Sequence, residues 1–494
     1  MVEMCSDQRA LLFHVLTILF ITVVSVQQGY GNGSVKLELI HRHGNGTGRK
    51  WSSFPLRQLL HRDAIRLAAI SEKLSMAKTE SIAATTSRRR IQESNAYYFS
   101  ACKNGTVSGQ LPMHSGADAG AGQYFVHFRV GSPAQRVVLV ADTGSDLTWM
   151  NCKYSCHGVR CRRRKKKKER DFRKRRVFLA DHSSSFRTLP CSSAMCKVDL
   201  ANLFSLARCP SPMDPCAYDY RYSDGSAAVG LFANETVTFR LTTGRKLKLH
   251  NVLVGCSESS RGESFQGADG VMGLAYSNHS FAVTAAARFR GKFSYCLVDH
   301  LSPKNVSSYL IFGSHDESRV TLGRMRYTEL VLGVLSSFYA VNLRGISVGG
   351  SMLDIPTETW DVNGVGGLII DSGSSLTSLV QPAYQPVMAA IRLTLLNFAN
   401  LNLDIGPLEY CFNSTGFDES AVPRLAFHFA DGARFEPHVK SYVIDAAPGV
   451  KCLGFVPAAW PGSSVIGNIM QQNHLWEFDI VNRRLGFAAS SCST

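Results

Sequence analysis

Two aspartates in near-identical settings are the residues of this chain best suited to chemistry. Leu139-Val-Ala-Asp142-Thr-Gly-Ser-Asp-Leu-Thr148 recurs as Leu368-Ile-Ile-Asp371-Ser-Gly-Ser-Ser-Leu-Thr377, with six of ten aligned positions identical. Each copy is an apolar run that ends on a carboxylate, followed by a hydroxyl residue, a glycine and a serine. That pattern reads as a buried strand delivering an Asp to a tight turn. Two related halves, each offering one Asp at a matching place, can bring the carboxylates together about a local two-fold axis. Two carboxylates about 3 Å apart cannot both ionise, so one serves as base and the other as acid. One Asp-Thr-Gly alone would read as a turn former. Its duplication makes Asp142 and Asp371 candidate catalytic residues.

Other residues would support the pair. Gly144 and Gly373 let two backbones approach where a Cβ would intrude. The hydroxyls of Thr143, Ser145, Ser372 and Ser374 are placed either to cap the turns or to orient the carboxylates. Tyr218-Asp-Tyr-Arg-Tyr222 alternates aromatic and polar residues and runs into Asp224-Gly225, a hairpin signal. A Tyr near the tip of such a hairpin can close over a bound substrate and exclude water.

The elements that must position these groups also repeat. Gln123 to Val130 alternates, Gly131-Ser-Pro133 turns, and Arg136 to Ala141 runs into Asp142. In the second half Phe338 to Ser347 alternates, Gly349-Gly350 turns, and Gly367 to Ile370 runs into Asp371. Each half has a later apolar-apolar-Gly element, Val271-Met-Gly273 and Val465-Ile-Gly467. A duplicated β lobe accounts for all three matches. The lobes should meet between Gly313 and Tyr327, with short helices over Phe281 to Arg290 and Pro382 to Phe398.

At 494 residues and 45% hydrophobic, the chain can build a sizeable core, which excludes wholesale disorder. Leu11 to Val26 is a 16-residue, mainly apolar stretch. It suits a signal-peptide core and is short for a membrane span, so residues 1–26 read as a signal peptide rather than an anchor. No later stretch is apolar enough to span a bilayer, and no stable membrane insertion is expected. Residues 27–115 are basic and interrupted, with helical apolar spacing from Leu56 to Leu74. They read as a prosegment covering an acidic cleft, or else as a partly ordered tail. Residues 116–318 and 319–494 would then be the N-terminal and C-terminal β lobes.

Fourteen cysteines are present, and setting aside Cys5 and Cys102 leaves an even twelve, eight of them between Cys152 and Cys256. In a secreted chain that implies a disulfide framework. Cys152, Cys156, His157 and Cys161 also have ligands enough for zinc, but a secretory route would oxidise the thiols, and no metal or other cofactor is expected. Seven sequons, at Asn32, Asn45, Asn104, Asn234, Asn278, Asn305 and Asn413, suit a secreted glycoprotein. The net charge of +16 is mostly local: Arg160 to Arg176 holds thirteen Lys or Arg against two acids, a net +11. That run reads as a solvated loop, an anionic-surface binder, or a cleavage or import signal. It lacks regular aromatic interleaving, which argues against nucleic acid as a partner.

Together Asp142-Thr-Gly-Ser, Asp371-Ser-Gly-Ser, the paired apolar-apolar-Gly elements and Tyr222-Ser-Asp-Gly-Ser resemble a pepsin-like aspartic protease, and the cysteine pattern resembles the nepenthesin-type plant branch. The likeness runs from about Gly122 to Cys492. It implies an all-β, bilobal pepsin-like fold with a few short helices, no cofactor, and a monomer that acts on protein or peptide substrates. It implies an endopeptidase in which Asp142 and Asp371 activate a water, Thr143 and Ser372 bond across to the opposite loop, and Ser145 and Ser374 orient the carboxylates. Tyr222 matches the flap tyrosine, and Trp149 the tryptophan that bonds it. The expected disulfides are Cys152–Cys156, Cys161–Cys256, Cys191–Cys216, Cys196–Cys209, Cys296–Cys492 and Cys411–Cys452. The alternative of a different class is a catalytically silent lobe pair that binds or inhibits another enzyme. The expected compartment is the secretory pathway, extracellular or vacuolar, with the chloroplast as alternative.

Overall fold

Val, Phe, Tyr and Ile at alternating positions, split by Gly and Pro turns, make strand the main regular structure among the described residues. The computed structural model describes residues 109–115, 122–155, 177–200, 211–222, 225–241, 245–262, 265–302, 306–313, 323–402 and 406–492. The leader, the Leu56–Leu74 helix and the Arg160–Arg176 run lie outside the described residues.

The described strands fall into one extended twenty-stranded sheet system and two four-stranded sheets. The halves share a six-stranded antiparallel floor. Its order is Gly109–Ser115, Ser308–Phe312, Lys292–Cys296, His474–Asp479, Arg484–Ala489 and Arg326–Leu332, three strands from each half. The seam lies where Lys292–Cys296 pairs with His474–Asp479. There Phe293 opposes Phe478, and their rings stack at 4.7 Å. Both side chains are fully buried, so the seam is core rather than a linker contact. The disulfide Cys296–Cys492 reinforces it.

Gly109–Ser115, assigned from sequence to the end of the prosegment, is the edge strand of this floor. It pairs with Ser308–Phe312 and with Tyr124–Val130, and it buries Leu111 and Met113. The alternation of those two apolar residues is the physical reason that it belongs with the sheet.

The strand expected over Phe338 to Ser347 is two strands, Tyr339–Val341 and Leu343–Val348. At Asn342 the chain passes from the sheet that carries Asp371 to a separate four-stranded sheet, and the Asn342 carbonyl accepts from Ala430 N–H at 3.0 Å. The helix expected over Phe281 to Arg290 is Phe281–Ala286. Ser280 caps it, accepting from Val283 N–H at 3.2 Å, and the left-handed backbone of Arg290 and Gly291 turns the chain away. The second helix, Gln381–Arg392, continues as a 3-10 turn over Leu393–Leu395.

Cys296–Cys492 and Cys411–Cys452 form as expected. The dense cluster does not follow the expected set. Cys152 bonds Cys256, and Cys196 bonds Cys216. Trp149–Lys153 runs parallel to Lys246–Arg261 with Met150 opposite Cys256, which brings the Cα atoms of Cys152 and Cys256 within 5.0 Å. Cys191 is disulfide-bonded as well. Cys156, Cys161 and Cys209 lie outside the described residues.

Candidate active site

Each candidate aspartate ends a strand in the same way. Gln135–Asp142 lies parallel to Gly270–Gly273, with Gly273 opposite Asp142. Leu368–Ile370 lies parallel to Ser464–Ile466, with Ile370 opposite Ile466 and Asp371 N–H donating to the Ile466 carbonyl at 3.1 Å. The apolar-apolar-Gly elements are therefore the parallel partners of the Asp strands. Their glycines are needed for close passage. A Cβ at Gly273 would lie 2.5 Å from the Asp146 backbone, and one at Gly467 would lie 2.1 Å from the Leu376 carbonyl oxygen.

Both carboxyls are fully buried and held alike. Gly144 N–H donates to Asp142 Oδ1 at 2.9 Å, and the Ser145 hydroxyl donates to Oδ2 at 2.9 Å. Gly373 N–H donates to Asp371 Oδ1 at 2.9 Å, and the Ser374 hydroxyl donates to Oδ2 at 2.6 Å. Every carboxylate oxygen thus accepts a hydrogen bond from its own turn, which helps to fix its rotamer.

The two turns lock onto each other. Thr143 N–H donates to the Ser372 hydroxyl at 3.1 Å, and Ser372 N–H donates to the Thr143 hydroxyl at 2.8 Å. The Ser372 hydroxyl donates to the Ala141 carbonyl at 3.0 Å, and the Thr143 hydroxyl to the Ile370 carbonyl at 3.4 Å. Each hydroxyl accepts from the opposite turn and donates to the strand behind it, so Ser serves where the other half has Thr. The lock draws the loops so close that a Cβ on Gly144 would lie 2.9 Å from Asp371 Oδ1.

Beside the first turn, Trp149 Nε1 donates to the Tyr222 hydroxyl at 2.6 Å. Tyr222 follows the strand Ala217–Arg221, which forms a hairpin with Ala227–Arg240. Tyr222 N–H donates to Ser226 O at 2.8 Å and Gly225 N–H to Tyr222 O at 3.0 Å, which closes the turn. Asp224 lies outside the described residues. Phe265 meets Trp149 edge-on at 4.9 Å and Tyr222 at 5.2 Å, completing an aromatic corner. All the candidate residues named from sequence therefore fall into two groups here, the paired turns and this corner.

Sequence reasoning missed the polar support beneath Asp371. Gln471 Nε2 donates to the Asp371 carbonyl at 3.2 Å and the Ile466 carbonyl at 2.8 Å, while its Oε1 accepts from the Tyr295 hydroxyl. Asn468 Nδ2 donates to the carbonyls of Ser372 and Gly122, both at 3.0 Å. Burial first, then the charge of Asp371, holds the Tyr295 hydroxyl well above the usual phenol range, so it stays a donor. Tyr339, raised first by burial, reaches across to donate to the Leu274 carbonyl at 2.8 Å. The available signal was Asn468 directly after an apolar strand and glycine, with the pair Gln471-Gln472 three residues on.

Two β halves, each delivering an aspartate turn to a shared lock, define a pepsin-like fold. Models described as xylanase inhibitor N-terminal and xylanase inhibitor C-terminal match residues 124–314 and 338–489. The chain is 35% identical to aspartyl protease family protein 2 of Arabidopsis thaliana, over 77% of this chain and 73% of that one. It is 31% identical to aspartic proteinase nepenthesin-1 of Nepenthes gracilis, over 78% of this chain and 82% of that one. Among solved structures, basic 7S globulin from soybean shares the fold with a TM-score of 0.60 at 20% identity, covering 78% of this chain and 97% of that one. The chain belongs to the plant pepsin-like aspartic protease family.

Proposed function

We propose that the protein is an aspartic endopeptidase that hydrolyses peptide bonds with a water activated between Asp142 and Asp371. The observation that carries this reading is the reciprocal lock of Thr143 and Ser372, with each carboxyl gripped by its own Gly N–H and Ser hydroxyl. The water sits between the two carboxyls. The ionised carboxylate takes a proton from it, and its oxygen attacks the amide carbonyl carbon. The protonated carboxyl donates to the carbonyl oxygen as negative charge develops there. The tetrahedral intermediate then breaks the C–N bond, with a proton delivered to the leaving nitrogen. The hairpin carrying Tyr222 folds over the peptide and excludes water, its hydroxyl oriented by Trp149.

The same reading extends to the whole chain. Residues 1–26 direct a monomer into the secretory pathway, bound for the cell exterior or vacuole, where sequons are glycosylated. The prosegment is cut before Gly109, because cutting later would strip Ser308–Phe312 of a paired strand and uncover Leu111 and Met113.

The test is digestion of a denatured protein at acid pH, with and without pepstatin, by wild type and Asp371→Ala. Pepstatin-sensitive cleavage that the variant lacks supports the proposal; pepstatin-insensitive cleavage, or undiminished cleavage by the variant, removes it. The description of the matching family models favours a second reading, an inhibitor of a glycoside hydrolase. No cleavage at any pH by the processed chain, together with inhibition of a xylanase, would establish that reading instead.

A further inference from the structure

A cluster of cations at the far end of the first lobe has no part in the chemistry above. Four neighbouring strands carry it: Gln135–Asp142, Tyr124–Val130, Ala227–Arg240 and Lys246–Arg261. Arg129 stands directly opposite Arg136, and Arg240 directly opposite Lys246. Lys248 stands opposite Thr238 on the same pair of strands. Like charges in direct cross-strand register destabilise a sheet, so two such pairs side by side are a standing cost to the free protein. Among the described residues no carboxylate pairs with any of the five. Arg136 precedes Asp142 by six residues of extended chain, about 20 Å, so the cluster is remote from the paired turns.

The cluster surrounds a groove. A cavity of about 460 Å³ is lined by Arg129, Arg240, Lys246 and Lys248, and Thr238 lies in its wall. The Thr238 hydroxyl is buried without a hydrogen-bond partner. A buried hydroxyl left unmatched costs free energy that a ligand would recover. Two serines on the rim, Ser132 and Ser184, add neutral hydroxyls. Arg129 is held below its usual range first by burial and then by the fields of Arg136 and Arg240.

We infer that this groove binds an acidic oligosaccharide, a chain of sugars carrying several carboxylates. The dimensions fit a ligand larger than a free anion, since the volume falls within the roughly 300–1,000 Å³ of small-molecule sites. Four cations from three strands line the groove, which suits anions repeated along a chain. Hydroxyls on the wall and rim suit a sugar between them. The one aromatic lining residue, Phe239, is fully buried, so the groove presents no ring for a nucleobase to stack on.

The experiment uses the full chain and isothermal titration with an oligogalacturonide of defined length. The comparison ligands are its fully methyl-esterified form, inorganic phosphate and a single-stranded oligonucleotide. The variants are Arg129→Gln/Arg240→Gln/Lys246→Gln and, to separate the basic run, Lys165→Gln/Lys166→Gln/Lys167→Gln/Lys168→Gln. The acidic oligosaccharide is expected to bind wild type with an affinity that falls as salt rises, and the groove variant is expected to weaken it about tenfold or more. The basic-run variant should retain affinity within about twofold. Without ligand, the groove variant should melt at a higher temperature than wild type, because repulsion is relieved. Equal binding by the groove variant, equal binding of the esterified sugar, or tighter binding of phosphate or the oligonucleotide would overturn the inference. So would a loss confined to the basic-run variant.

Discussion

The two aspartate turns share a backbone and differ in what surrounds it. At the residue after the paired glycines, the first half has Leu274 and the second has Asn468. The first turn is flanked by rings: Trp149, Tyr220, Tyr222 and Phe265, with the Tyr220 hydroxyl accepting from Asp146 N–H at 3.3 Å. The second turn rests on amides, since Asn468 and Gln471 tie it to the Ser372, Gly122, Asp371 and Ile466 carbonyls. The duplicated part sets where the carboxyls point. The divergent parts divide the remaining work, with a hairpin over one aspartate and a rigid polar base under the other. A two-fold site thereby acquires a covered side and an anchored side.

If the carboxyls are equivalent in chemistry despite these surroundings, Asp142→Asn and Asp371→Asn should each lower kcat for a peptide substrate by about 10³-fold. Stopped assays on the processed forms would show it, and a much smaller loss for one of them would break the symmetry of the turns. The anchored side should show its character in stability. Gln471→Leu removes donors from two carbonyls and the acceptor of the Tyr295 hydroxyl, all buried. We expect a loss of about 3 kcal/mol in urea unfolding, beyond anything a single bond contributes. A loss under about 1 kcal/mol would mean that the amide base is replaceable.

The anchored half should also carry an acid-sensitive group. His474 begins the seam strand His474–Asp479, its Nδ1 at 3.0 Å from the Gln472 carbonyl, with His438 at 5.6 Å and the edge of Phe435 at 5.0 Å. Burial lowers it to about 4, partly opposed by the Gln472 carbonyl and furthered by His438. The folded state therefore refuses a proton that the unfolded chain accepts near its usual value of about 6.5. Its contribution is intact above that value and is lost as pH falls from about 6.5 to 4, on the order of 2–3 kcal/mol. His474→Gln should flatten the fall in melting temperature across that interval, and an unchanged slope would assign the acid loss to other groups.

The legibility of these features in the sequence followed their physical range. The aspartate strands were readable because a buried strand needs a continuous apolar run and its turn needs Asp, a hydroxyl and Gly in order. The apolar-apolar-Gly partners were readable for the same reason. Gln471 and Asn468 were not, because a buried amide is defined by carbonyls distant in sequence, Gly122 among them. The Cys152–Cys256 bond was missed because the expected pairs came from a resemblance, and the choice of partner for Cys256 rests on the register of a parallel strand pairing, with Met150 opposite Cys256, which the sequence does not carry. The strand Gly109–Ser115 was not anticipated, because only Leu111 and Met113 alternate in it after a basic, interrupted stretch.

The covered side makes a smaller claim. Tyr222→Phe keeps the ring against Phe265 and Tyr220 and removes the acceptor of Trp149 Nε1. A hairpin that closes over substrate then loses orientation rather than bulk, so kcat/KM should fall about tenfold with little change in melting temperature. An equal loss of stability would reduce the corner to packing. The smallest effect belongs to the lock itself. Ser372→Thr gives both halves the same hydroxyl and adds one methyl at a position that is 1% exposed. The hydroxyl can keep both its bonds, to Thr143 N–H and to the Ala141 carbonyl. The cost is then one methyl to accommodate, about 1 kcal/mol in unfolding, with kcat unchanged within about twofold. Ser372→Ala removes the acceptor of Thr143 N–H as well as the donor to Ala141, and should lower both stability and kcat. A threonine variant as impaired as the alanine one would mean that side-chain volume, not the crossed pair of hydroxyl bonds, sets how closely the two aspartates approach.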